Sequence, residues 1–356
     1  MKKVYFAVGP SQVYPTLYKH INKAIEEAIP CLNHRGDGFK SLYKSVDENL
    51  KKLLNIPKNY QIFFVSSALE SMERTIQGLV EKNSFHIITG SFGKAWANYA
   101  NQLNKTVTKF ELESNLEQFP DIEISTKAEI ICITQNDTST GFWFPPEEII
   151  KLKKKYPEKL IAIDVVSSAP YLDINFKYID VTFFSVQKGF GLPAGLGILI
   201  VSPKTLEKAE KLLKKGLSIG SYHSLKNLSE KYAIWQTPET PNELNIYLLD
   251  NVIKDMLKIG LANIRKEIDI KANLLYGYFD SHKKYQPFIK NPKFRSPTTL
   301  VIDVKGESEK LRKKLENKGY IMGAGYGDNK LNHIRIANFP SHQLKDVKAM
   351  LNLLKK

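Results

Sequence analysis

The stretch "VTFFSVQKGFGLPAGLGILIV", Val181 to Val201, decides the fold class. Its two ends, within "VTFFSVQ" and "GLGILIVS", are largely apolar runs of strand length, rich in β-branched and aromatic residues, the signature of a buried strand. The glycine-rich segment between the runs is too short for a helix, so the second strand is expected to return antiparallel to the first. Upstream, the runs "YQIFFVS", "SFHIITG", "VTKFELE", "EIICITQ" and "LIAIDVV" have the same character. Helical patterns at about 68–81, near 92–104 and in "PEEIIKLKKKYP" separate several of them. Strands alternating with helices predict an α/β fold: a large domain with a mostly parallel sheet flanked by helices. A long helical stretch from about 241 to 282 follows the turn signal "TPETPNE". Beyond it, "TTLVIDV", the charged helix "SEKLRKKLENKG", "NHIRIAN" and a final helix from about 341 suit a smaller C-terminal α+β domain. The expected division is a large domain over 15–250 and a small one over 251–356, joined by the N-terminal segment 1–14.

Composition narrows the partners. The chain has 356 residues, 42% apolar and 25% charged, as in an ordinary soluble protein. Its formal charge of +15 comes from 46 lysines against six arginines. The lysines are scattered over helical faces, as in "EKAEKLLKKG", and form no stripe interleaved with aromatics, so no nucleic-acid partner is expected. Apolar runs such as "LGILIV" are too short to span a bilayer, so no membrane partner is expected either. Cys31 and Cys132 lie in apolar contexts and read as buried structural thiols; two cysteines make neither a disulfide framework nor a metal knuckle. No metal is expected. "MKKVYFAVGP" reaches Pro10 before a signal-peptide core could form, which leaves a reducing cytoplasm as the expected location.

Ligands of open α/β sheets bind beyond the carboxyl ends of the strands, and four such ends carry polar residues. After "FFV", Ser66 or Ser67 can cap a helix and Glu70 completes a capping box; the helix start suits a phosphate or is a plain cap. Asp164 ends "IAID", where a buried carboxylate needs a partner and reads equally as structural or catalytic. Lys188 stands just past a strand; a desolvated lysine has a lowered pKa and can attack a carbonyl to form a Schiff base. Thr138, in "ITQNDTSTG", can offer a hydroxyl to a ring substituent. A phosphate seat, an acid to hold a pyridine nitrogen protonated and a Schiff-base lysine are the parts of a pyridoxal phosphate site. The glycines of "GFGLPAGLG" are expected to let backbone approach that cofactor and to aim the lysine.

With "VGP" at 8–10, "NHRG" at 33–36, "SSALESME", "NDTSTG", "IDVVSSAP", "SVQKGFGLPAGLG", "QTPET" and "HIRIANFP" in this order, the chain resembles the class V, fold-type I pyridoxal phosphate aminotransferases over nearly its whole length. Within that class it is most similar to the phosphoserine aminotransferases. The resemblance implies pyridoxal 5'-phosphate as cofactor, with Lys188 carrying its aldehyde and shuttling a proton, and Asp164 on the pyridine nitrogen. It implies Thr138 at the ring hydroxyl, Phe92 stacked on the ring, and Ala68, Leu69 and Gln187 at the phosphate. Gln236 and Thr237 would reach the phosphate of a partner subunit, which implies a homodimer with shared active sites. Arg335 would bind the substrate α-carboxylate, and His34 and Arg35 its distal anion. The implied reaction passes an amino group from glutamate to 3-phosphohydroxypyruvate, giving O-phosphoserine and 2-oxoglutarate. The substrates are thus small amino and 2-oxo acids.

The resemblance breaks at two places. Many bacterial members have a glycine-glycine-arginine step where this chain has Ala68 and Leu69. They also have a His-Arg pair where "GYGDNKLN" places Asp328 and Asn329. Both changes remove cations that would grip a phosphate monoester. They motivate a rival within the class, acting on serine, alanine or glyoxylate. A cysteine desulfurase fits less well, since neither cysteine falls in an active-site loop. A DNA-binding regulator with this fold fits less well too, since no helix-turn-helix precedes it.

Overall fold

A computed structural model describes residues 3–355. A seven-stranded sheet runs in the order Gln61–Val65, Gly197–Val201, Val181–Ser185, Leu160–Asp164, Ile130–Thr134, Asn83–Ile88 and Thr106–Glu111. Neighbours are parallel except around Gly197–Val201, which is antiparallel to both the strands it pairs with. Its register, Gly197 opposite Ser185 and Val201 opposite Val181, is the hairpin that the short glycine loop enforces. Period-two alternation sends Phe63, Phe183 and Leu199 to one face, against Met72, Ile76 and Trp96. Ile62, Phe64, Phe184 and Ile198 go to the other face, against Phe39, Tyr43, Leu50 and Leu248. Helices therefore cover both faces, and the inner strands read as continuous apolar runs for that reason.

The helix Ala68–Leu79 begins on Ser67, whose Oγ accepts the Glu70 N–H at 3.3 Å. The helical stretch expected from 241 to 282 is two helices, Glu243–Ile259 and Leu261–Ser281. Gly260, with φ +84°, separates them, a backbone state that glycine adopts without a Cβ clash. A second, five-stranded sheet has the order Val4–Phe6, Tyr320–Ala324, His333–Ala337, Thr299–Asp303 and Gln286–Pro287. Its core joins Leu300, Ile302, Ile334 and Ile336 to Leu275, Phe279, Leu315 and Met350 from the helices beside it. The N-terminal strand Val4–Phe6 pairs in parallel with Tyr320–Ala324, so the chain start belongs to this second sheet. Met1, Lys2 and Lys356, included in the expected domain ranges, lie outside the described residues.

The cysteines divide. Cys132 is buried in a central strand, and burial pushes its thiol well up. Cys31 is exposed, contrary to expectation: its short turn Ile29–Cys31, entered through Ala28 at φ 52°, buries none of its three residues. No helix among the described residues is long and apolar enough to cross a membrane.

Candidate active site

The carboxyl edge of the large sheet sets the first side chains. Asp164, the last residue of its strand, is 4% exposed, and its Oδ1 accepts the Val166 N–H at 2.9 Å. Burial pushes this carboxyl upward because the charged form loses water. Lys188 is 7% exposed. Its Nζ donates to Thr138 Oγ1 at 2.8 Å and to Ser167 Oγ at 3.0 Å, and the two hydroxyls bond each other. Burial pushes the ammonium downward, and Asp164 opposes that shift.

Two of the glycines around Lys188 pack against protein backbone. A Cβ on Gly189 would lie 1.9 Å from the Ala169 carbonyl oxygen, and one on Gly191 (φ +62°) would lie 2.6 Å from the Tyr14 nitrogen. They seat the lysine loop closely against the backbone of Ala169 and Tyr14. The glycine that makes room for the lysine is Gly9 of "VGP". It has φ +145°, and a Cβ there would fall 2.8 Å from Lys188 Cε. The N-terminal segment is tied to the same loop by Ser11 N–H to Gln187 O at 3.2 Å and Tyr14 N–H to Gly191 O at 2.8 Å.

Phe92 is the second residue of the helix Ser91–Gln102, whose N-cap Gly90 has no side chain to offer. Asp137 serves instead: its Oδ2 accepts the Phe92 N–H at 3.2 Å and its Oδ1 the Ser139 N–H at 2.9 Å. A Cβ on Gly90 would sit 2.5 Å from that carboxylate. So anchored, the Phe92 ring centre lies 5.4 Å from Lys188 Nζ. At the other end, the Ala68 N–H donates to Ser185 Oγ at 2.7 Å, and Ala68 and Leu69 carry the first N–H groups of their helix. Gln187 Oε1 is buried without a hydrogen-bond partner among the described residues.

The second sheet supplies the facing wall. Arg335 Nε donates to the Ala324 carbonyl at 2.6 Å and its Nη1 to the Thr138 carbonyl at 3.3 Å. The Tyr326 ring centre lies 5.4 Å from the guanidinium and 5.3 Å from the Phe92 ring. These groups enclose a cavity of about 340 Å³. Eight of the twelve expected site residues line it: Ala68, Leu69, Phe92, Thr138, Asp164, Gln187, Lys188 and Arg335. The other four do not. His34, Arg35, Gln236 and Thr237 stand outside it, where Gln236 Nε2 donates to the Arg35 carbonyl at 3.3 Å and His34 Nε2 is buried without a partner among the described residues. Residues that sequence reasoning passed over are Ser167, Asp137, Gly9 and Tyr326. Ser167 sits inside "IDVVSSAP", three positions past Asp164, where its hydroxyl was a readable signal; Tyr326 had none.

Residues 6–333 match the family described as Aminotransferase class-V. The chain belongs to this family. It is 44% identical to a solved phosphoserine aminotransferase from Cytophaga hutchinsonii, with a TM-score of 0.97 over 99% of this chain and 98% of that one. A phosphoserine aminotransferase from Corynebacterium glutamicum (strain R) is 27% identical over 97% of this chain and 92% of its own. An alanine–glyoxylate aminotransferase from Nostoc sp. shares 18% identity with a TM-score of 0.82 over 99% of this chain and 96% of that one, which speaks for the fold alone. A class V aminotransferase works with pyridoxal phosphate, and the residues present fit that group. The cavity offers a buried carboxylate for a ring nitrogen, an aromatic face, a buried amine and a helix N-terminus at Ala68 and Leu69.

Proposed function

We propose that this class V aminotransferase moves the amino group of glutamate to 3-phosphohydroxypyruvate, releasing 2-oxoglutarate and O-phosphoserine. One observation carries the chemistry: Lys188 Nζ, buried and aimed by two hydroxyls, shares a cavity with Asp164, Phe92 and Arg335. The choice of substrate is supported by end-to-end similarity to a phosphoserine aminotransferase at 44% identity.

Bound in the cavity, pyridoxal phosphate supplies an aldehyde for the amino group and a ring that withdraws electrons. The chain supplies the rest. Because burial lowers the Lys188 pKa, neutral Nζ is accessible near neutral pH and can take the proton from the substrate α-carbon and return it elsewhere. Thr138 and Ser167 hold that Nζ in place. Asp164 as carboxylate would hold the protonated pyridine nitrogen, a cation that would offset the cost of burying the carboxylate. Phe92, whose ring lines the cavity beside Lys188, would pack against the cofactor ring and exclude water. Arg335, with Nε and Nη1 held by carbonyls, keeps Nη2 for the substrate α-carboxylate.

His34, Arg35, Gln236 and Thr237 complete the site of a second subunit in this reading, as a cytoplasmic homodimer. Their position together outside the chain's own cavity supports this. The division into a large domain over 15–250 and a small one over 251–356 with 1–14 puts the cavity at the seam, with Lys188 on one side and Arg335 on the other. A second reading, an enzyme for serine, alanine or glyoxylate, is favoured by the exposed turn Gly327–Asn329, where Asp328 and Asn329 replace two cations. Phosphorus NMR on a mixture of the enzyme, glutamate and 3-phosphohydroxypyruvate decides between them. Appearance of O-phosphoserine supports the leading function; none forming, while glyoxylate or pyruvate is aminated, moves the enzyme to the second reading.

A further inference from the structure

We propose that His223 is a positioning residue for the cofactor phosphate: held as a cation between Glu70 and Glu239, it cancels the charge that Glu70 would otherwise place beside the phosphate seat. The proposal rests on the reading of the helix start at Ala68 and Leu69 as that seat.

Glu70 poses the problem. It is the third residue of the helix Ala68–Leu79, and its place is fixed: Oε2 accepts both the N–H and the hydroxyl of Ser66, each at 2.7 Å. A carboxylate in the first turn is a good cap, yet a dianionic phosphate at the same N-terminus would meet it as a like charge. The neighbouring side chain gives no relief, because Leu69 is apolar and 48% exposed where a cation would have helped.

His223 supplies that cation from behind. Its side chain is 6% exposed, its Nδ1 contacts Glu70 Oε1, and its Nε2 lies 2.6 Å from Glu239 Oε2. A ring with both nitrogens against carboxylates must donate from both, which only the imidazolium can do. The groups facing it are Glu70 from the helix, Glu239 from the segment after Thr237, and the Tyr222 ring at 4.2 Å; Gly195 and Leu196 complete the surrounding wall without charge. Burial alone would lower the His223 pKa, but the carboxylates outweigh it and raise it to about 9, while Glu70 is held at about 2. The same cluster reaches the 236–240 segment, since the Glu239 carbonyl accepts the Thr237 hydroxyl at 2.7 Å.

A mere latch and a charge-cancelling residue make different predictions for a cofactor without its phosphate. The full-length chain, stripped of cofactor, is titrated with pyridoxal phosphate and with pyridoxal, followed by cofactor absorbance. His223→Gln is expected to weaken pyridoxal phosphate binding about tenfold to a hundredfold, and pyridoxal by no more than about twofold. Adding Glu70→Gln removes the uncancelled charge and restores phosphate-dependent binding. Glu239→Gln cuts the same latch but leaves a neutral His223–Glu70 pair, so the preference for the phosphorylated form holds or rises; this variant decides the matter if His223→Gln does not fold. Equal losses for both ligands, no loss in His223→Gln, or a fallen preference in Glu239→Gln would overturn the proposal. A wild-type chain that binds neither ligand would instead overturn the cofactor site itself.

Discussion

On one side of the cavity, Lys188, Asp164, Thr138 and Ser167 are all less than a tenth exposed; hydrogen bonds tie Lys188, Thr138 and Ser167 across three segments, and the Val166 N–H holds Asp164. On the other side, Tyr326 is 43% exposed and Asp328, Asn329 and Lys330 stand in an open turn. Arg335 on that wall is fixed by main-chain carbonyls that any sequence would supply. The contrast separates two tasks. In the proposed reaction, proton transfer needs an amine placed to within a fraction of an ångström, and burial with several hydrogen bonds gives such placement. Substrate choice can rest on side chains that are exchanged without disturbing a core, and an alanine–glyoxylate aminotransferase shares this fold at 18% identity.

The largest expected effect lies on the buried wall. Lys188→Ala should slow amino transfer by roughly a hundredfold to ten-thousandfold, the range for a general acid–base group, while circular dichroism shows an unchanged fold. Turnover near the wild-type rate would break the contrast at its root. Arg335→Lys keeps the charge but loses the fork. KM for every amino acid substrate should rise about tenfold to a hundredfold, with kcat falling less, since charge-assisted hydrogen bonds weigh about 1.5–3 kcal/mol.

A smaller effect concerns the Glu70–His223–Glu239 cluster and stability. The Glu70 pKa is lowered from 4.5 to about 2, so its contribution is present above pH 4.5 and lost as pH falls toward 2. His223 is raised from 6.5 to about 9, so its contribution is full below pH 6.5 and lost as pH rises toward 9. The stability gap between wild type and His223→Gln, from urea melts, should therefore be widest between pH 4.5 and 6.5 and close toward pH 9. A gap that widens with rising pH contradicts the cationic ring. The smallest effect is on the open turn: Asp328→Asn should lower KM for O-phosphoserine by only about twofold to fivefold and leave serine untouched, the weight of an exposed charge.

The large sheet was legible because its inner strands are buried on both faces and so read as apolar runs, and because Asp164 and Lys188 interrupt that apolarity at or just past strand ends. The antiparallel return at Gly197 followed from loop length alone. Other features depend on partners distant in sequence. Nothing in "GFGLPAGLG" says that Gly189 meets Ala169, or that Gly191 meets Tyr14. The break at Gly260 was masked by helical patterning on both sides. Cys31 has apolar neighbours in sequence, yet they sit in a turn at the surface. The resemblance assigns His34 and Arg35 to the substrate's distal anion and Gln236 and Thr237 to a partner's phosphate, but the separation of all four from the cavity is a matter of tertiary placement. Tyr326 carries no local signal, since only the approach of the second sheet brings it over Phe92 and Arg335.

The most direct test of the account is a single-turnover half-reaction on cofactor-loaded enzyme, following loss of the cofactor's absorbance band on mixing with O-phosphoserine, serine or alanine. Rapid loss with O-phosphoserine and slow or no loss with the other two is the predicted result. Rapid loss with serine or alanine, and none with O-phosphoserine, would contradict the proposed substrate while leaving the buried wall and Lys188 in their roles.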